Sequence, residues 1–251
     1  MIEPTFQPTK TSRWRPLVQA AFLLLWLAPL RLFNICGPVF HCYACPLAAF
    51  ACPVGMLAQF SAMHAIPFVV IGTLGLVGVA VGGFVCGWAC PFGFLQDLAA
   101  RISPPRFDLP GWLSHFRYVV LFGLVLLIPW FFGTESPLFF CRLCPISTLE
   151  VSLPELARPN AWKLGITIVV VAGMFLIRRP WCRVLCPLGL IFGWFNRIAF
   201  FGLRFDNSNC AKCQRCPRTC DYGAKLSQRD TDTRCIRCLD CMRCKSTKAG
   251  L

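Results

Sequence analysis

Residues 17–33, 66–85, 116–133 and 161–177 are nearly unbroken apolar runs, with no polar face at the helical or the strand period. Each is close to the roughly 20 residues that a helix needs to cross a hydrocarbon core, so the pattern predicts four membrane helices. The first run follows Lys10, Arg13 and Arg15, as the core of a signal peptide would. No small-residue cleavage site comes after it, so a retained anchor is expected. The second carries Gly72, Gly75, Gly78, Gly82 and Gly83, which lets a neighbouring backbone approach closely. Two short amphipathic segments, 92–102 and 188–203, follow the second and fourth runs. From Asp206 onward the hydrophobic pattern collapses, and residues 206–251 read as a separate domain from the membrane part, 1–205.

The placement of Lys and Arg orients these spans. Outside them, residues 1–16 hold three, 86–117 three and 178–251 fifteen, against none in 34–65 and only Arg142 and Arg158 in 134–160. The positive-inside rule then puts both termini and the middle loop in the cytoplasm, and the loops after the first and third spans outside. Arg31 and Lys163 sit near span ends, where long side chains snorkel to headgroups.

Composition agrees with a membrane solvent: 56% of the residues are hydrophobic, only 14% are charged, and the mean hydropathy is +0.60. The net charge of +14 raises the question of nucleic acid. The basic residues are spread over both parts of the chain, however, and nowhere form a run interleaved with stacking aromatics, so no nucleic-acid partner is expected. If sixteen of the cysteines bind four cubanes as thiolates, the loaded protein falls to about +6.

Those cysteines, 18 in all, are the second anomaly, and their spacing repeats. Cys86-Gly-Trp-Ala-Cys90-Pro91-Phe-Gly93 aligns with Cys182-Arg-Val-Leu-Cys186-Pro187-Leu-Gly189, and Cys42-Tyr-Ala-Cys45-Pro46 with Cys141-Arg-Leu-Cys144-Pro145. The membrane part is therefore read as a duplicated two-helix unit, about 14–102 and 116–203, related by a pseudo-twofold axis along the membrane normal. Cys42, Cys45, Cys141 and Cys144 then converge on the outer face, and Cys86, Cys90, Cys182 and Cys186 on the inner face. Thiolates suit iron-sulfur clusters or zinc, and the arithmetic fits one [4Fe-4S] cubane per face. Two alternatives stay open: disulfide or redox-thiol chemistry at the outer set, and a cluster built by each repeat from its own two motifs. Cys36 and Cys52 have no counterpart in the second unit and read as small apolar residues or a local disulfide, with a ligand-swap or thiol-relay role as the alternative. His41, His64 and His115 read as interfacial packing. Asp97, Glu135, Glu150 and Glu155 show no catalytic spacing and read as solvated loop residues, so no catalytic residue is expected.

The tail carries two cysteine runs, Cys210-x2-Cys213-x2-Cys216-x3-Cys220 and Cys235-x2-Cys238-x2-Cys241-x2-Cys244. This resembles the bacterial two-cluster ferredoxin, in which three cysteines of one run and the last of the other hold each cubane. The resemblance implies one cluster on Cys210, Cys213, Cys216 and Cys244, and another on Cys235, Cys238, Cys241 and Cys220. Proline follows the third cysteine of the first run and not the fourth, and the second run closes with x2 where the pattern has x3. A zinc ribbon is the rival reading.

Together, the two CxxxCP motifs and the tail resemble the membrane ferredoxins of the NapH/NosR/MauN type over nearly the whole chain. That resemblance implies a mostly α, multi-pass protein of the bacterial inner membrane with cytoplasmic CxxxCP motifs and a cytoplasmic ferredoxin region. It also implies electron traffic between a cytoplasmic donor or quinol and a periplasmic or membrane redox partner. No Ser/Thr-Gly-Ala-Thr flavin-attachment motif is present, so the chain reads as a reduced relative. An electron-transfer component is expected in preference to a stand-alone enzyme, with a quinol dehydrogenase subunit or a transmembrane thiol-disulfide carrier as alternatives. Its donor is expected to be an acidic flavodoxin or ferredoxin docking on Lys212, Arg215, Arg218, Arg229, Arg234, Arg237 and Arg243. A core about 30 Å thick is too wide for one electron-tunnelling step. Recessed half-helices would shorten it, and the apolar, Pro-interrupted segment 46–63 is the candidate.

Overall fold

Proline and glycine punctuate an almost entirely helical chain. The computed structural model describes residues 10–26, 52–102, 107, 109–148, 161–177, 179–205, 220, 222–224, 232–243 and 247–250. Helix α1 spans Lys10–Trp26, α2 Pro53–Ala62, α3 Phe68–Val81, α4 Phe84–Trp88 and α5 Pro91–Ile102. A continuous helix, Gly111–Phe132, follows. It opens as a 3-10 turn, passes through α6 (Phe116–Tyr118), loosens to π geometry over Val119–Leu127 and closes as α7 (Ile128–Phe132). Next come α8 (Phe140–Leu143), α9 (Pro145–Ser147), α10 (Ala161–Leu176), α11 (Pro180–Val184) and α12 (Pro187–Phe195). Strands β1 (Gly202–Phe205) and β2 (Thr247–Gly250) pair antiparallel, tying the end of the membrane part to the end of the tail.

Within the described residues each expected membrane stretch contains a helix, and among them only Gly111–Phe132 is both long and apolar enough to cross a bilayer. Trp14–Leu25, Phe68–Val81 and Ala161–Leu176 are shorter apolar helices. Helix α3 stops four residues before the expected 85 because Gly82 takes φ +52, a left-handed conformation that ends the helix and that only glycine adopts cheaply. The segment expected over 188–203 is helical only to Phe195 and then turns into β1.

The core lies among the helices α2, α3, α5, α10 and α12 and the long helix Gly111–Phe132. Helix α2 packs on α7 and the π-helical stretch, α1 on α5, α10 on α5, and α12 on α3. Val54, Ala58, Val70, Val120, Val125, Leu190 and Phe192 are fully enclosed there. On the outside the same helices present large apolar side chains: Phe68 and Leu76 are each 75% exposed and Leu24 73%.

Candidate metal centres

Each CxxxCP motif ends one short helix and starts another. Cys86 lies in α4, whose last turn closes with Ala89 and Cys90 both donating to the carbonyl of Val85 at 2.9 and 3.1 Å. Cys182 lies in α11, where Leu185 and Cys186 both donate to the Trp181 carbonyl at 2.9 Å. Pro91 and Pro187 then open α5 and α12 at the position where a missing N–H costs nothing. Equal spacing has produced equal backbone geometry in the two halves.

Cys86, Cys90, Cys182 and Cys186 all line one mostly apolar cavity of about 40 Å³. Burial pushes the Cys182 thiol up to about 11 and raises Cys86 and Cys186 as well. Metal-free, these thiols are therefore neutral at pH 7, and iron has to displace their protons to bind. Two donors already point at the sulfurs: Gln96 Nε2 reaches Cys182 Sγ at 3.1 Å and the Gly189 N–H reaches Cys186 Sγ at 3.4 Å. The donor set, four soft sulfurs in a water-poor pocket, fits a cubane. Among the described residues no His, Cys, Asp or Glu group is placed to hold a single metal ion.

Against this cavity stands a buried charge cluster that the sequence reading missed. Asp97, expected to be a solvated loop residue, is on α5, with Arg179 Nε at 2.7 Å from its Oδ1 and Arg15 on its other oxygen. Burial alone would raise the Asp97 carboxyl, but Arg179, backed by Arg15, outweighs it and holds the group below its ordinary range. Arg179 also donates to the Cys86 carbonyl at 3.1 Å, and Arg15 to that of Gly87 at 2.9 Å. Both guanidiniums lie over the Tyr222 ring, at 5.2 and 5.9 Å from its centroid. Arg15 also reaches the Asp240 carboxylate at 3.6 Å, so two cations face two anions, and the Arg179 guanidinium is the charge that touches the Cys86 backbone beside the thiols. The cluster's sequence signal was faint: Asp97 is the one acid of its amphipathic segment, and Arg179 precedes a proline just past an apolar run.

The tail meets the membrane part at the same place. Cys220, Cys235, Cys238 and Cys241, the set expected for one tail cluster, stand close enough to interact electrostatically, and Cys235 also lines the inner-face cavity. Asn196 stitches the contact, with its Oδ1 accepting from the Gly83 N–H at 2.9 Å and its amide donating to the carbonyls of Asp232 and Cys235 at 3.1 and 2.8 Å. A Cβ on Gly87 would collide with the Ile236 carbonyl and one on Gly193 with that of Thr233, so both glycines permit the approach. Arg237 was expected on the docking surface. It is 3% exposed and donates to the carbonyls of Val81, Asn196 and Phe201, because the tail folds back over the helix ends. Arg234 is likewise engaged, by Asp232 at 2.8 Å.

The other expected sites are partly in view. Cys141 and Cys144 flank the break between α8 and α9. Their expected partners Cys42 and Cys45 lie outside the described residues, as do Cys36, His41, and the tail ligands Cys210, Cys213, Cys216 and Cys244. So do Lys212, Arg215, Arg218 and Arg229, as well as the Arg243 side chain. Cys52, which had no counterpart in the repeat, is buried beside Cys141 and Cys144. None of the described cysteines is in a disulfide. His64 packs on Trp130 and His115 on Tyr118, as packing residues would.

Comparison with known proteins places these observations. The 4Fe-4S binding domain family matches twice, over residues 62–110 and 161–206, once around each CxxxCP motif. An uncharacterized protein of Methanocaldococcus jannaschii is 30% identical over 193 residues, 71% of this chain and 73% of the relative. The putative electron transport protein YccM of Escherichia coli K12 is 26% identical over 64% of this chain and 48% of its own length. The regulatory protein NosR of Stutzerimonas stutzeri is 27% identical over 57% of this chain, which spans only 20% of that relative. No solved structure matches.

Proposed function

Because the chain belongs to the NapH/NosR/MauN-type 4Fe-4S polyferredoxins, we propose that it is a membrane-integral relay with four clusters, two in the tail and one toward each membrane face. The observation that carries this reading is the inner-face cavity. Cysteines from both family matches line it, and a tail cysteine stands on its wall. Bound clusters supply one-electron steps that make and break no bond. The protein's own residues do the remaining work. Cys86, Cys90, Cys182 and Cys186 hold one cluster, and Cys235, Cys238, Cys241 and Cys220 hold a neighbour. Cys210, Cys213, Cys216 and Cys244 hold the second tail cluster, and Cys141 and Cys144 contribute to the outer one with Cys42 and Cys45. Packing excludes water, and Arg179, on the Cys86 carbonyl, supplies positive charge where each reduction adds a negative one.

Four bilayer spans, arranged as two repeated units in residues 1–205 with the ferredoxin-like domain in 206–251, are supported by the four apolar helices and their outward apolar side chains. The distribution of Lys and Arg favours cytoplasmic termini. Electrons then pass between an acidic cytoplasmic carrier or quinol and a redox partner at the membrane or beyond it. Iron and acid-labile sulfide analysis of the full chain in detergent tests the reading. Four cubanes require about sixteen irons per chain. About twelve would favour a thiol-disulfide carrier at the outer face, and about eight would leave only a soluble-type ferredoxin on an anchor and overturn the proposal.

A further inference from the structure

The loop expected on the outer face does not simply cross it. Helix α2 returns into the fold, and its two ends are located by contacts. At its C-terminal end Ser61 donates to the Leu126 carbonyl at 2.8 Å, and His64, just beyond, packs at a tilt on Trp130 at 4.2 Å, so this end lies beside the last two turns of the long helix Gly111–Phe132. Ten helical residues rise about 15 Å. The N-terminal end, which carries Cys52, therefore sits about that far inward.

Three features there match a ligand position. Cys52 caps α2 at φ −70 and ψ 122, Cys144 caps α9 at −69 and 120, and Cys186 caps α12 at −74 and 112. Proline follows the cysteine in every case. Cys186 accepts from the N–H of Gly189, whereas the Cys52 side chain makes no capping hydrogen bond and its sulfur is left available. The residue triplet after the cysteine is Pro-Val-Gly at 52, Pro-Phe-Gly at 90 and Pro-Leu-Gly at 186, a motif that the pairing of CxxCP motifs had concealed. Cys52 is 7% exposed, in the same apolar cluster as Cys144, Ile146 and Phe140. Cys141 and Cys144 stand within electrostatic reach of it, and α2 packs against α8, which carries Cys141.

We propose that Cys52 joins Cys141 and Cys144 as a ligand of the outer-side [4Fe-4S] cluster, and that this cluster is recessed about 15 Å from the outer end of the helices. The inference rests on the outer-side cluster of the relay reading and changes which cysteines hold it. Recession also removes the gap that a 30 Å core would impose: roughly half of it remains between the outer and inner sites, a span that one tunnelling step manages.

The test compares iron content and low-temperature EPR of the dithionite-reduced full chain with those of Cys52→Ser, Cys141→Ser and Cys36→Ser. The expected result is a loss of about four irons per chain in both Cys52→Ser and Cys141→Ser, with the same signal missing and the other clusters intact, while Cys36→Ser matches the parent. Retention of the remaining signals reports that each variant has folded. If Cys141→Ser loses iron and Cys52→Ser does not, the outer cluster exists but Cys52 is not a ligand, and the inference is overturned alone. If the parent holds only three clusters and none of the variants changes it, the outer-cluster reading has failed and the inference with it. A second measurement guards against misfolding of the serine variant: in Cys141→Ser, Cys52 should become alkylated by a membrane-permeant maleimide that leaves it untouched in the parent. Equal labelling in both would contradict ligation.

Discussion

Replacing Arg179 by Gln removes one positive charge from the wall of the inner-face site while keeping most of the side-chain volume. The guanidinium donates to the backbone carbonyl of Cys86 and touches the turn at Gly93, so it lies on the order of 8 Å from the centre of a cluster held by Cys86 and Cys182. At an effective dielectric constant of about 20, a unit charge at that distance is worth about 2 kcal/mol. For a one-electron couple this is about 90 mV. Reduction adds negative charge, so losing the cation disfavours it, and the inner-cluster potential should fall by about that amount. Asp97 keeps Arg15 as a partner. The fold should then lose about 3 kcal/mol, the low end for breaking a buried ion pair. Redox titration monitored by EPR reads the potential, and Arg179→Lys, which restores the charge without the fork, should recover most of it. A change below about 20 mV, or a rise, in a folded Arg179→Gln variant refutes the electrostatic role assigned to this cluster.

Gly193→Ala places a methyl against the Thr233 carbonyl; it should cost about 1–3 kcal/mol and slow electron transfer between the tail and the inner site, measured by flash reduction, without shifting the inner-cluster EPR signal. Arg237→Ala strips donors from the carbonyls of Val81, Asn196 and Phe201. Each buried acceptor left unpaired costs about 1–3 kcal/mol, so limited proteolysis should release the tail at a lower temperature than in the parent. Arg229→Glu should reduce the association rate with an acidic flavodoxin, and that rate in the parent should fall steeply as screening shortens toward about 8 Å at physiological salt; a salt-independent rate would leave Arg229 without a docking role.

What was legible in the sequence was whatever repeats or runs long. The apolar stretches foretold the helices, and the offset between Cys86-x3-Cys90-Pro91 and Cys182-x3-Cys186-Pro187 foretold four cysteines around one cavity, because identical local spacing gives identical capping geometry. The grouping of Cys220 with Cys235, Cys238 and Cys241 came instead from the resemblance to two-cluster ferredoxins, and these four stand within electrostatic reach of one another. Interactions between distant, singly occurring residues were not legible. Arg15, Asp97, Arg179 and Tyr222 meet across up to 207 positions, and nothing periodic announces them. Asp97 looked solvated because a lone acid on an amphipathic helix usually is; two arginines from elsewhere changed its surroundings. Arg237 looked like surface charge because it stands among cluster ligands, yet the tail folds inward and makes it a clamp on the helix ends. Cys52 read first as a small apolar residue, with a ligand swap only as the alternative, since the repeat was aligned on CxxCP, whereas backbone angles group it with Cys144 and Cys186.

The most direct test of the relay is a comparison of Cys86→Ser with Cys182→Ser in the full chain. These residues come from different family matches and line one cavity. Both variants should lose about four irons and one and the same EPR signal, while the tail signals persist and electrons given to the tail no longer reach the outer-side cluster. Loss of a different cluster in each variant would mean that each half builds its own centre, and would contradict the shared inner site on which the account depends.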